Sequence, residues 1–406
     1  MENRLIERFL SYVKIDTQSN EDSTTQPSSV KQFDLAKVVK SELEALKLKD
    51  VLLDDNGYLT ATLPANIEGK HDVVGFCAHF DTSPDFSGEN VKPIIHKNYQ
   101  GGDIYLNEQT ILKPSEFPFL KNHIGDDIIT TDGTTLLGAD NKAGIAEIIE
   151  LLHVLIDHPA IPHGEIKIMF TPDEEIGRGT DAVNLDNFKV DYAYTVDGGE
   201  LGELEYENFN AATMIVNVKG RNIHPGSAKN KMKNALAIGM DFHRLLPLTQ
   251  APQYTEGYEG FYHLNDMTGN VEHAQMHYII RDHDKEAFEY KKDFALKVAE
   301  LLNNQYDEDT ISLEITDSYF NMKEKIEPVM HIIDYAKRAM EAAGVRPLIK
   351  PIRGGTDGAR LSFMGIPTPN IFTGGYNYHG RYEMIPIQSM ERAVAVLVEL
   401  VQIIAE

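Results

Sequence analysis

Apolar residues recur at helical spacing at Leu5, Phe9 and Val13, and more roughly at Leu35, Val39 and Leu46. Polar residues 18–29 between them read as a loop. Asn56-Gly57 separates the apolar runs 51–53 and 58–63, which predicts a hairpin. Residues 73–77 form a continuous apolar run, the pattern of a buried strand. Ile145, Ile148, Leu152 and Leu155 predict a helix, and Ile166, Ile168 and Phe170 a strand. Runs at 192–196 and 371–373 predict further strands, and residues 329–343 and 394–404 further helices. Strand–loop–helix alternation of this kind implies an α/β domain.

The pattern changes in the middle of the chain. Strand signals at 213–219, 260–264, 275–281 and 311–316 interleave with helical signals at 235–246 and 287–302. The order β-α-β-β-α-β is the ferredoxin-like arrangement. It predicts an α+β domain over residues 208–320, inserted into a domain made of residues 1–207 and 321–406. A chain of 406 residues exceeds a single typical core, in keeping with two domains.

Composition narrows the partners. The formal net charge of −25 opposes binding to nucleic acid or to an anionic membrane surface. No apolar run approaches the roughly 18 residues of a membrane span. The opening Met1-Glu2-Asn3-Arg4 reads as the start of an amphipathic helix rather than a signal peptide. A single cysteine, Cys77, forbids an intrachain disulfide and suits a reducing cytoplasm.

Candidate chemistry gathers just beyond strand ends. His79 and Asp81 follow the run 73–77, and Glu174-Glu175 follow 166–170. Asp197 follows 192–196, and His379 lies in the Gly-rich stretch after 371–373. Asp140 sits in Gly138-Ala139-Asp140-Asn141-Lys142-Ala143-Gly144, which opens a helix. Ligands bind at the carboxyl edge of an open α/β sheet. Imidazoles and carboxylates converging there would make a divalent-metal site, with room for two ions. Taken singly the motifs are weak. His79-x-Asp81 alone reads as a solvated strand end, although Asp81 could orient His79 by accepting its second ring N–H. Asp140 is equally an N-cap or a carboxylate bridging two cations. Adjacent Glu174 and Glu175 point different ways, so one could ligate while the other stays free as a base.

Together, and in this order, the motifs resemble the M20 family of dinuclear zinc peptidases. Finer stretches narrow the resemblance to its tripeptide aminopeptidases. They are His79-Phe80-Asp81-Thr82-Ser83-Pro84-Asp85, Asn222-Ile223-His224-Pro225-Gly226, Arg353-Gly354-Gly355-Thr356-Asp357-Gly358 and His379-Gly380-Arg381-Tyr382-Glu383. Met384 departs mildly, standing where an aromatic residue is expected.

The resemblance implies a zinc-peptidase-like mixed-sheet catalytic domain whose insert is a lid or dimerisation domain. It implies two zinc ions per subunit, with cobalt or manganese as substitutes. Asp140 would bridge the ions, His79 and Asp197 would complete one site, and Glu175 and His379 the other. Glu174 would be the general base, with Asp81 behind His79 and a cis peptide at Asp140–Asn141. His224 would steady the oxyanion across a homodimer, and Arg353 and Arg281 would grip the peptide carboxylate. The implied substrates are small peptides with a free N-terminus. The rival expectations are a dipeptidase or N-acyl amino acid deacylase of the same family, and a metal-binding homologue without activity.

Overall fold

Short apolar runs rich in β-branched and aromatic residues make strands that bury both faces. Val74–His79 is the central one, and every residue in it is buried. It pairs in parallel with Ile166–Thr171 on one side and with Tyr192–Gly198 on the other. Asn370–Phe372 continues the parallel set beyond Tyr192–Gly198. The computed structural model describes residues 2–406, with side chains from Arg4 onward. Met1 and the side chains of Glu2 and Asn3, on which part of the N-terminal reading falls, lie outside the described residues.

The full sheet has eight strands, in the order Lys49–Leu53, Leu59–Leu63, Ile166–Thr171, Val74–His79, Tyr192–Gly198, Asn370–Phe372, Glu203–Glu205, Leu348–Ile349. The first two are the hairpin marked by Asn56-Gly57, where Gly57 takes a φ of 91° that the turn requires. The protein is thus mixed α/β, with an antiparallel margin on a parallel centre. Because the central strands are parallel, their carboxyl ends lie on one edge. From Val74–His79 the chain reaches a neighbour on one side and then, with Tyr192–Gly198, a neighbour on the other. Ligand crevices of α/β sheets form where the order reverses in this way.

Helix Ala139–Asp157 packs on Val74–His79 and Tyr192–Gly198. Gly144 makes the approach possible, since a Cβ there would run into the carbonyl oxygen of Val196. The terminal helix Ile387–Ile404 packs on this helix and on His331–Ala342.

The chain divides into two compact units. One comprises the residues up to Tyr206 with Glu324–Lys350 and Thr356–Glu406, the other Glu207–Lys323 with Pro351–Gly355. The second unit has a four-stranded antiparallel sheet in the order Phe261–Gly269, His273–Asp282, Asn210–Lys219, Ile311–Tyr319. Helices Ala235–Leu245 and Lys285–Tyr306 cover one face, burying Met214, Val216, Phe242, Met276, Tyr278 and Phe288. The sequence reading did not assign 351–355 to this unit, because five residues with Gly354-Gly355 carry no periodicity. Nor did it resolve the short strands Ile94–His96 and Ile128–Thr130, which pair with each other, or Met384–Pro386, which pairs with Ile128–Thr130. Strands of three residues are too short to show alternation. Among the described residues, no helix is long and apolar enough to cross a membrane.

Candidate metal centre

The candidate ligands come from the carboxyl ends of the parallel strands, His79 and Asp197, and from the turns and loops beside them, Asp140, Glu174, Glu175 and His379. His79 is the last residue of its strand and is 2% exposed. Its Nε2 lies 3.0 Å from Asp140 Oδ1 and 3.3 Å from Asp197 Oδ1. His379 Nε2 lies 3.3 Å from Asp140 Oδ2 and 2.9 Å from Glu175 Oε2. The two oxygens of Asp140 therefore address two different histidines. The Asp140–Asn141 peptide is cis, as the resemblance implied.

Asp140 does not cap its helix. Its backbone is non-helical, at φ −85° and ψ 104°, and its carboxylate turns to the histidines. The buried N–H groups leading into the helix are taken by Glu383, whose Oε2 accepts from Leu137 N at 2.6 Å and Gly138 N at 2.8 Å. Its Oε1 accepts from Asp140 N at 3.1 Å. A carboxylate suits a helix N-terminus, where unpaired N–H groups carry partial positive charge.

The loop of Glu174 and Glu175 is held the same way. Asp81, fully buried, accepts from Glu174 N at 3.0 Å and from Glu175 N at 3.1 Å. Nδ1 of His79 lies 3.0 Å from the Asp81 carbonyl and 3.3 Å from the Asp81 carboxylate. The ring is thus oriented first by backbone, while the expected carboxylate partner also anchors the glutamates. Buried Asp173, just before them, takes hydrogen bonds from Ser28 N at 2.7 Å and Gln32 Nε2 at 2.7 Å. Adjacent Glu174 and Glu175 address different parts of one cluster. Donor atoms of His79, Glu174 and Asp197 lie within 4.8 Å of one another, and so do those of His79, Asp140 and Glu175.

Electrostatics in the cluster are severe. Burial pushes the Glu174 carboxyl well above its ordinary range and that of Glu175 up to about 8. Burial also raises Asp197. Asp140 pays the same desolvation, but the two imidazoles outweigh it and hold the carboxyl low. His379 is raised to about 11 by its hydrogen bonds to Asp140 and Glu175.

The set fits divalent cations. Carboxylates and imidazole Nε2 atoms are the donors zinc accepts. Each histidine has its second nitrogen occupied, His79 by Asp81 and His379 by Asp85 Oδ2 at 3.2 Å. Glu175 Oε1 is buried with no hydrogen-bond partner, an acceptor that a cation would satisfy.

The remaining candidates belong to the second unit. His224 is exposed, and its Nδ1 accepts from Gly226 N at 3.1 Å. Arg353 stacks over Phe209 at 5.1 Å and donates to Gly257 O at 2.6 Å and Thr255 Oγ1 at 3.2 Å. Arg281 donates through Nη1 to Arg353 O at 3.0 Å, and its buried Nε has no partner. Arg353 is thus engaged by the remote segment 255–259, whereas the Nε of Arg281 is buried without a partner.

The model of Peptidase family M20/M25/M40 matches residues 132–403. A peptidase T of Alkaliphilus oremlandii (strain OhILAs) is 57% identical over 403 residues, 98% of each chain. The chain belongs to the M20/M25/M40 peptidase family. Among solved structures, an aminopeptidase PepT from Bacillus cereus aligns with a TM-score of 0.80 and 24% identity, over 100% of this chain and 99% of that one. A tripeptidase from Staphylococcus aureus aligns at 0.79 and 23%, with the same coverage. Both likenesses speak for the fold.

Sequence reading of this M20 chain overlooked Glu383, Asp173 and Lys142 as parts of the site. Glu383 closes the stretch His379-Gly380-Arg381-Tyr382-Glu383. Its partners lie up to 246 residues away, and local pattern carries no sign of them. Lys142, buried, donates from Nζ to Ile15 O at 2.7 Å and ties the loop after Gly138 to the N-terminal segment.

Proposed function

We propose that this M20-family hydrolase is an aminopeptidase that releases the N-terminal residue of tripeptides with two zinc ions. The observation that carries the two-ion reading is Asp140, with one oxygen toward His79 and the other toward His379. His79 and Asp197 would hold one ion, Glu175 and His379 the other, and Asp140 both. Divalent cations held there supply Lewis acidity toward water and the scissile carbonyl.

The protein's own groups do the rest. Glu174, half-buried and with its carboxyl pushed up by desolvation, takes the proton of the attacking water and returns it to the leaving amine. Asp81 keeps the ring of His79 in place and fixes the backbone from which Glu174 and Glu175 project. In a homodimer, the partner subunit's His224 would donate to the oxyanion. A guanidinium, that of Arg353 or Arg281, would grip the peptide carboxylate.

Product analysis tests this reading. The substrates are a free tripeptide, its N-acetylated twin and a dipeptide, each with and without chelator. The expected result is release of the first residue from the free tripeptide alone, abolished by chelator and restored by zinc. Cleavage of the dipeptide or the acetylated peptide in preference would replace it with a sibling amidohydrolase activity.

A further inference from the structure

The loop that carries Asp140 has little to hold it locally. Gly138 sits in the left-handed region at φ 80° and offers no side-chain cap. Asp140 and Asn141 depart from helical geometry, so the helix does not dictate where the Asp140 carboxylate points. The carboxylate of Glu383 engages three backbone N–H groups of this loop, at Leu137, Gly138 and Asp140. Glu383 is 1% exposed. It is itself fixed, because Met384–Pro386 begins a strand at the next residue and Glu383 N donates to Gly380 O at 3.2 Å. His379 lies on the same segment, only a short turn earlier.

We propose that Glu383 is a positioning residue for the metal centre: its carboxylate locks the Asp140 loop to the segment that bears His379, and so sets the separation of the two sides of the site. This rests on the reading of Asp140 and His379 as metal ligands. Charge-assisted hydrogen bonds from several backbone N–H groups to one carboxylate are strong and directional. The split of the three donors between both oxygens makes the carboxylate irreplaceable by its amide. Glutamine has one oxygen and one NH2, so either orientation sets an N–H against an NH2. Neither local pattern nor the assigned ligand set requires such a brace. The three distances do.

The test uses the full chain, stripped of metal, with zinc affinity read by competition against a chromogenic chelator. Glu383→Gln is expected to weaken zinc binding about 10–100-fold, the usual cost of losing a partner that orients a ligand. At limiting zinc kcat falls, at excess zinc it recovers in part, and KM holds. A merely structural role would instead lower the melting temperature of the metal-free protein and leave zinc affinity alone. Unchanged affinity overturns the proposal. Asp140→Asn serves as control: if it too leaves zinc affinity intact, the reading of the metal centre has failed, not this inference alone. Adding Glu383→Gln to Asp140→Asn should cost little more, because the brace acts through Asp140; fully additive losses would also overturn it. Should Glu383→Gln not fold, Glu383→Asp keeps both acceptor oxygens on a shorter arm. Wild-type zinc affinity in that variant has the same adverse meaning.

Discussion

Glu174 and Glu175 are neighbours in sequence with the same chemistry, yet the fold separates their tasks. Glu175 Oε2 meets His379 at 2.9 Å, while Glu174 shares its surroundings with His79 and Asp197. Glu174→Gln should therefore retain bound metal and a normal melting temperature while kcat drops about 10²–10⁴-fold, the range of a lost general base. Metal analysis beside steady-state kinetics checks it, and near-normal turnover would remove Glu174 from the mechanism. Glu175→Gln is expected to behave differently, losing metal along with activity, because the amide is a poorer ligand. Asp81→Asn should damage both functions at once. Its carboxylate takes the N–H groups of both glutamates, and asparagine has a single acceptor oxygen for two donors.

At the scale of elements, ion pairs far from the site tie the helices beneath it. Glu150 on helix Ala139–Asp157 has a side chain with no exposed surface and accepts from Arg8 Nη1 at 2.9 Å and from Arg4 Nη2 at 2.8 Å. Arg8 also reaches Glu42 at 2.8 Å, which joins helices Glu2–Tyr12, Gln32–Ala45 and Ala139–Asp157. The last of these carries Asp140 at its start. Burial alone would raise the Glu150 carboxyl, but the two guanidinium groups overcome it and leave the carboxyl below its ordinary 4.5. A depressed carboxyl stabilises the fold above the ordinary value, and that stability is lost as pH falls from about there through the folded value. Glu150→Gln should cost roughly 1.5–3 kcal/mol at neutral pH, since it leaves buried Arg8 with Glu42 as its one remaining carboxylate. Denaturant titration at neutral and acid pH would show the deficit shrinking as the wild type loses its own pair. A deficit that stays constant down to acid pH would rule out this account.

For the whole molecule, an acidic chain with a net charge of −25 also holds several carboxyl groups side by side at the sheet edge. Cations held by the candidate site would relieve the repulsion among those carboxyls and would bind the folded state only. Chelation should therefore lower the melting transition by roughly 5 °C, if the cations are bound at about a hundred times their Kd. Calorimetry with and without chelator, followed by zinc restoration, measures it. An unchanged transition would mean the cluster binds no ion tightly enough to matter.

Sequence alone determined the elements that are long or periodic. The helices around Ile145–Leu155 and Ala287–Leu302, the buried strand before His79 and the β-α-β-β-α-β order all left their marks in apolar spacing, because burial of one face or both imposes a period. Candidate chemistry was legible as well, since His79, Asp140, Glu174, Glu175, Asp197 and His379 each stand next to such an element. Tertiary structure alone decided what these residues face. That Asp140 spans two histidines rather than capping a helix, and that Glu383 from a distant segment holds the backbone of its loop, shows only in the folded chain. The dual duty of Asp81, the brace from Asp173 to Ser28 and Gln32, and the hydrogen bond from Arg281 to Arg353 O are likewise contacts between remote stretches. Spacing along a chain encodes which face is buried, but a hydrogen bond between loops is set only when the sheet brings their ends together.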